Sequence, residues 1–344
     1  MERTDILSLS FDELFEEVTL MGEPAFRAKQ IFSWLHEKKV TSFSEMTTLS
    51  LQLRERLEAK FCLNRLNIEK RLASSIDDTV KYLYQLPDGN YVETVWMEYH
   101  HGVSVCLSTQ VGCRMGCQFC ASTIAGFVRN LTPGEILLQI YEAERDMGKN
   151  IDSIVLMGIG EPLDNYDNVI SFLKILSDKR GRGMSLRHVT LSTCGIVPRI
   201  YDLADDAQGV TLSISLHSPS DERRSEIMPV NRRYNISEVF EAARSFFDKT
   251  GRRVTFEYSV IEGINSAEKD AAALAALLKG MQCHVNLIPV NPIAERNFHG
   301  KRKTAKKFME TLSGLGINAT VRRTLGSDIE AACGQLRRNA LDKQ

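Results

Sequence analysis

Apolar positions recur along this chain with two different periods. Up to about residue 67 the period is helical: Phe26, Ile31, Trp34 and Leu35 fall on one face after Pro24, and Leu49, Leu53, Leu57 and Phe61 recur at every fourth position. Such spacing lines one side of an α-helix, so residues 1–67 are expected to form a compact helical module. From Glu69 the period shortens to two. Residues 80–86 alternate, Pro87-Asp88-Gly89-Asn90 is a turn, and residues 91–96 resume β-formers. This predicts a small β-hairpin extension over 68–102. Residues 103–108 read as a further strand.

Beyond it, helix and strand alternate. The pattern predicts helices over 132–147, 165–177, 198–205, 236–248, 267–279 and 304–315. Strands are expected over 153–157, 188–192, 210–216, 253–260, 284–289 and 318–321. Regular alternation argues for an α/β fold, a parallel sheet with helices outside it. Functional groups of such folds gather where strands end at their C-terminal edge. Several stretches fall there: the loop after residue 108, Gly158-Ile159-Gly160-Glu161, Ser192-Thr193-Cys194, Ser215-Leu216-His217 and Pro289-Val290-Asn291.

The first of these carries the clearest chemistry. It reads Gly112-Cys113-Arg114-Met115-Gly116-Cys117-Gln118-Phe119-Cys120. Three thiols at this spacing can face one small object, and thiolates in such numbers favour zinc or an iron–sulfur cluster. Structural zinc takes four protein ligands, often as two separated pairs, and no second pair follows. Three ligands on a four-iron cube leave one iron free. In the turn at Gly158-Ile159-Gly160-Glu161-Pro162, glycines admit a ligand close to the backbone and the glutamate can receive a cationic group. Cys62, Cys194 and Cys283 read as packing residues.

Composition narrows the setting. The chain has 344 residues, of which 43% are hydrophobic and 25% charged, ordinary values for a soluble globular protein. It contains no apolar run of about 18 residues, and its first residues are charged, so neither a membrane span nor a signal peptide is expected. A cytoplasmic monomer follows as the expectation, with eight cysteines serving as ligands, catalytic thiols or core filler. Net charge is −1, but residues 296–307 carry six Lys or Arg and 179–187 carry four. Both stretches are candidate phosphate contacts for a nucleic acid.

With CxxxCxxC after a predicted strand and the Gly-x-Gly-Glu turn about forty residues on, the chain resembles the radical S-adenosylmethionine (SAM) enzymes. Adding Cys106, Gly158–Asn165 and Asp328-Ile329-Glu330-Ala331-Ala332-Cys333-Gly334-Gln335-Leu336, it resembles the RlmN/Cfr family of radical SAM RNA methyltransferases over nearly its whole length. That resemblance implies a partial (βα)6 radical SAM barrel over 103–322, with 1–67 as an RNA-binding accessory domain and 323–344 as a segment carrying a methyl-accepting cysteine. It implies one [4Fe-4S] cluster on Cys113, Cys117 and Cys120. It assigns SAM contacts to Gly160, Glu161, Ser192, Ser215, Leu216, His217 and Asn291.

The implied reaction methylates C2 of an adenine in 23S rRNA at the peptidyl-transferase region, and of the adenine 3′ to the anticodon in tRNA. Two SAM molecules are used per turnover. One methylates Cys333; the second yields a radical that removes a hydrogen from that methyl group. The methylene adds to C2, Glu93 accepts the C2 proton, and Cys106 attacks Cys333 to release the RNA and leave a disulfide. A reductant such as flavodoxin or ferredoxin is implied as partner. Taken alone, Glu93 would be an exposed strand carboxylate and His217 a hydrogen-bonded core histidine. The alternatives are a Cfr-type enzyme acting at C8 of the same adenine, a radical SAM enzyme for a small molecule, and a zinc-binding RNA module.

Overall fold

The structure is a computed structural model and describes residues 3–290, 298–323 and 325–329. Three helices open the chain: α1 (Phe11–Leu20), α2 (Phe26–His36) and α3 (Leu51–Lys60). Ser10 and Glu13 form a reciprocal cap on α1, satisfying donors that a helix start leaves orphaned. The four-residue repeat at Leu49, Leu53, Leu57 and Phe61 is buried throughout. On α2 the buried stripe is Ala28, Ile31, Phe32 and Leu35. Phe26, expected on that face, is exposed, with the Arg27 guanidinium over its ring.

Ten strands form one sheet whose spatial order is the sequence order. They are β1 (Asn67–Ala73), β2 (Thr79–Gln85), β3 (Tyr91–Tyr99), β4 (Gly102–Cys106), β5 (Ser153–Leu156), β6 (Val189–Thr193), β7 (Thr211–Ser215), β8 (Val254–Val260), β9 (Cys283–Pro289) and β10 (Ala319–Val321). Strands β4 to β10 run parallel, each neighbour joined by a helical crossover. The crossover helices are α4 (Pro133–Met147), α5 (Tyr166–Ser177), α6 (Val197–Asp206), α8 (Ile236–Thr250), α9 (Glu268–Leu278) and α10 (Arg302–Gly314). This is six βα units and a closing strand, an open barrel whose end strands β1 and β10 are not neighbours.

Two features add to the sequence reading. The hairpin extension over 68–102 is not isolated from the barrel. It continues the barrel sheet, with β3 antiparallel to β4, and gains β1 on its outer edge. That edge strand is almost wholly exposed, so it has no buried face to impose alternation. A short helix, α7 (Asp221–Ile227), lies between β7 and α8. Its sequence has one apolar residue, and the Ser220 cap rather than periodicity starts it.

The sheet has two faces. Val92 and Trp96 of β3 pack in the main core, and Thr94 Oγ1 bonds to Gln139 Oε1 of α4 at 2.9 Å. The alternate residues Glu93, Val95 and Met97 point to the other side, the barrel lumen, with Cys106, Val155 and Met157. No described helix is long and apolar enough to cross a membrane.

Candidate active site

The lumen opens into a cavity of about 270 Å³ at the C-terminal ends of the parallel strands. Cys113, Cys117 and Cys120 line it together, from the loop that follows β4. Gly158, Gly160 and Glu161 line it after β5, Ser192, Thr193 and Cys194 at the end of β6, and Ser215 and His217 at the end of β7. Leu216 is different: it is fully buried in the main core and contributes no lining. Asn291 and Cys333 lie outside the described residues.

The cysteine loop and the Gly-Glu turn are stitched together. The amides of Thr109 and Gln110 donate to the Ile159 carbonyl. Gln110 Oε1 accepts from the Glu161 amide at 2.9 Å, and Arg114 grips Asp164 through two nitrogens. Gly160 has φ +110°, and a Cβ there would sit 2.6 Å from Gln110 Cβ. Only glycine combines that backbone with that approach. The Glu161 carboxylate is buried and turned inward, accepting from Leu163 N at 3.0 Å and Cys194 N at 2.7 Å. Burial pushes its pKa up, against those hydrogen bonds.

His217 is both things the sequence allowed, a hydrogen-bonded buried histidine and a cavity residue. Its φ of 57° is left-handed, an unusual conformation for a side chain with a Cβ. Nδ1 accepts from the Ser259 amide at 2.8 Å, which puts the proton of a neutral ring on Nε2. Burial lowers its pKa to about 3, so the ring is neutral at physiological pH. Its ring packs edge-on to Phe119 of the cysteine loop at 4.6 Å.

The thiols suit a cluster better than a single ion. Burial pushes the Cys113 thiol up to about 12, and raises Cys117 as well. Such thiols ionise when a metal takes the place of the proton. Among the described residues no three His, Cys, Asp or Glu side chains converge closely enough for one ion. In a cubane each cysteine ligates a different iron, so sulfurs spread around one cavity are the fitting arrangement. Cys113, Cys117 and Cys120 would hold the cube in a cavity that Glu161 and Ser192 also line.

Glu93 is buried, contrary to the exposed carboxylate that its strand position alone suggests. It pairs with Lys81 at 2.9 Å on the lumen face. Cys106, also buried, sits opposite Val95 in the β3–β4 register and shares an apolar cluster with Met157, which lines the cavity. The structure thus brings Glu93 and Cys106 to one side of the cysteine-lined mouth.

Sequence reasoning missed Glu257, Ser259 and Arg322, which line the cavity. Glu257 accepts from Ser213 Oγ and Asn286 Nδ2, each at 2.8 Å, and burial raises its pKa. A charge inside the apolar run of β8 was the available signal. Cys194, read as packing, sits in an apolar cluster with Cys117 and also lines the cavity.

The barrel, the three-cysteine loop after its first parallel strand and the Gly-Glu turn define a radical SAM enzyme, whose cofactors are a [4Fe-4S] cluster and SAM. The Radical SAM superfamily model matches residues 107–275, and that of the ribosomal RNA large subunit methyltransferase N-terminal domain matches 4–63. The chain is 53% identical over 342 residues to the "Probable dual-specificity RNA methyltransferase RlmN" of Alkaliphilus oremlandii (strain OhILAs), covering 99% of each. It is 51% identical over 341 residues to the protein of the same name from Clostridioides difficile (strain 630), covering 98% of this chain and 99% of that one. A radical SAM methyltransferase from Sphaerobacter thermophilus superposes with a TM-score of 0.92 at 40% identity, over 96% of this chain and 98% of that one. The chain belongs to the RlmN family of radical SAM RNA methyltransferases.

Proposed function

We propose that this enzyme methylates C2 of an adenine in 23S rRNA at the peptidyl-transferase region, and of the adenine 3′ to the anticodon in tRNA. The observation that carries the reading is the placement of Glu93 and Cys106 on the lumen face, beside a cavity lined by Cys113, Cys117 and Cys120. A base and a second thiol are what this reaction needs beyond the cofactors. The dual-specificity name of the relatives supports two RNA substrates.

C2 of adenine lies between two ring nitrogens and is electron-poor, so polar methyl transfer fails there. When bound, the cluster and two SAM molecules per turnover supply an electron, a methyl group and a carbon-centred radical. Cys333 carries the methyl carbon to the base. The adduct formed by radical addition gives up one electron, and Glu93 removes the C2 proton. Cys106, as a thiolate, then attacks the Cys333 sulfur and breaks its bond to the methylene carbon, which takes up a proton to become the methyl group of the freed RNA, leaving a Cys106–Cys333 disulfide that a reductant must reopen. Glu161, Ser192, Ser215, His217, Asn291 and the backbone at Gly160 orient SAM. Flavodoxin or ferredoxin, in the cytoplasm, would deliver the electron.

Anaerobic reconstitution with iron and sulfide, then SAM and RNA, followed by nucleoside mass spectrometry, tests the reading. It expects 2-methyladenosine. Finding 8-methyladenosine instead would reassign the enzyme to C8 chemistry, and loss of neither methyl transfer nor RNA release in Cys333→Ala would point to a different radical SAM reaction.

A further inference from the structure

Arg224 is fully buried, and among the described residues its guanidinium hydrogen-bonds only to neutral oxygens. Nε donates to the Leu216 carbonyl at 3.1 Å, Nη2 to the carbonyls of Cys194 at 2.7 Å and Ser215 at 3.1 Å, and Nη1 to Asn231 Oδ1 at 2.7 Å. The nearest acid in this network, Asp221, is reached only through Asn231, whose Nδ2 donates to Asp221 Oδ1 at 2.9 Å. A buried charge with no direct ion pair among the described residues is costly and calls for compensation from somewhere.

The position of the helix that bears it indicates where. One turn further on, the Ile227 carbonyl accepts from the Gln118 amide, inside the cysteine loop, at 2.8 Å. Ile227 and Met228 share a buried apolar cluster with Cys117 and Cys194. The guanidinium is therefore fixed behind the cysteine-lined cavity, clamped on carbonyls at the ends of β6 and β7.

We propose that Arg224 is the internal counter-cation of the iron–sulfur cluster, raising its reduction potential while holding the two strand ends that face SAM. A fixed positive charge in a low-dielectric wall favours the more negative, reduced cluster, and net charge and surroundings set such potentials. The arginine acts on the cluster through space and does not ligate it. The inference rests on Cys113, Cys117 and Cys120 being the cluster ligands.

The test is a redox titration of the anaerobically reconstituted full chain, read by electron paramagnetic resonance, with iron content measured alongside. Arg224→Gln removes the charge and should lower the ratio of reduced to oxidised cluster at a fixed potential by about tenfold. Arg224→Lys keeps the charge and should restore most of that ratio. Should the glutamine variant misfold, Asn231→Asp serves instead: it places an anion on Nη1 without removing the arginine, and should lower the ratio in the same direction. Iron-replete Arg224→Gln or Asn231→Asp protein with the parent's ratio overturns the role of Arg224. An unsubstituted chain that takes up no more iron than Cys113→Ala overturns the cluster assignment beneath it.

Discussion

The ammonium of Lys81 lies 2.9 Å from the carboxylate of Glu93, diagonally across β2 and β3, with neither side chain open to solvent. Removing one member of a buried ion pair is far costlier than the pair's net worth, because the survivor stays desolvated. Lys81→Met should destabilise the protein by about 3 kcal/mol in denaturant melts, and Lys81→Arg by less. Glu93→Gln should retain SAM cleavage but stall after RNA attack, so a covalent protein–RNA adduct should accumulate on a denaturing gel. Wild-type turnover in that variant would remove Glu93 from the role of base.

The two basic stretches of the sequence have different fates. In residues 179–187, Arg182 is nearly buried and grips Glu144 through two nitrogens, while Arg180 pairs with Asp178 and stacks on Phe11 at 3.3 Å. Arg182 thus braces α4 within the barrel and Arg180 fastens α1 to it, while Lys179 and Arg187 stay exposed as candidate phosphate contacts. On α10, by contrast, Arg302, Lys303, Lys306 and Lys307 are exposed, and cations crowd a helix start where the dipole disfavours them. Reversing Arg302, Lys303 and Lys306 should weaken RNA binding and reduce its log–log salt slope by about one per charge. Arg182→Ala should leave that slope unchanged and lower stability by about 3 kcal/mol.

Glu144 makes the second contrast pH-dependent. Burial pushes its carboxyl up, but Arg182, Lys39 and the Ile151 amide outweigh burial and hold it below the ordinary carboxylate range. A carboxyl lowered in the folded state contributes stability that is present above its unfolded pKa of about 4.3 and lost as pH falls through the folded value. Wild-type melts should therefore fall on acidification below about pH 4.5, and Arg182→Ala should flatten that limb.

Gly160→Ala probes the SAM mouth. The added methyl meets Gln110, which holds the Glu161 amide, Asn130 and Asp164 at once. SAM affinity measured calorimetrically should fall by about tenfold or more, since both the φ of +110° and the contact oppose the substitution. Unchanged affinity would show that this turn does not shape the cosubstrate site.

The sequence alone determined the alternation of strands and crossover helices, and the strand-end placement of the cysteine loop and Gly-Glu turn. These are local properties: a run of β-formers, a capped amphipathic helix and a short spacing all act within a few residues. Tertiary structure decided which charges are buried, and it did so through distant partners. Arg182 meets Glu144 from 38 positions away, and Arg224 meets the Cys194 carbonyl from 30. Glu93 looked like any strand carboxylate until antiparallel pairing carried β3 alongside β4 and turned it to the lumen with Cys106. A charge reads the same in sequence whether water or another side chain surrounds it; only the assembled barrel supplies the surroundings.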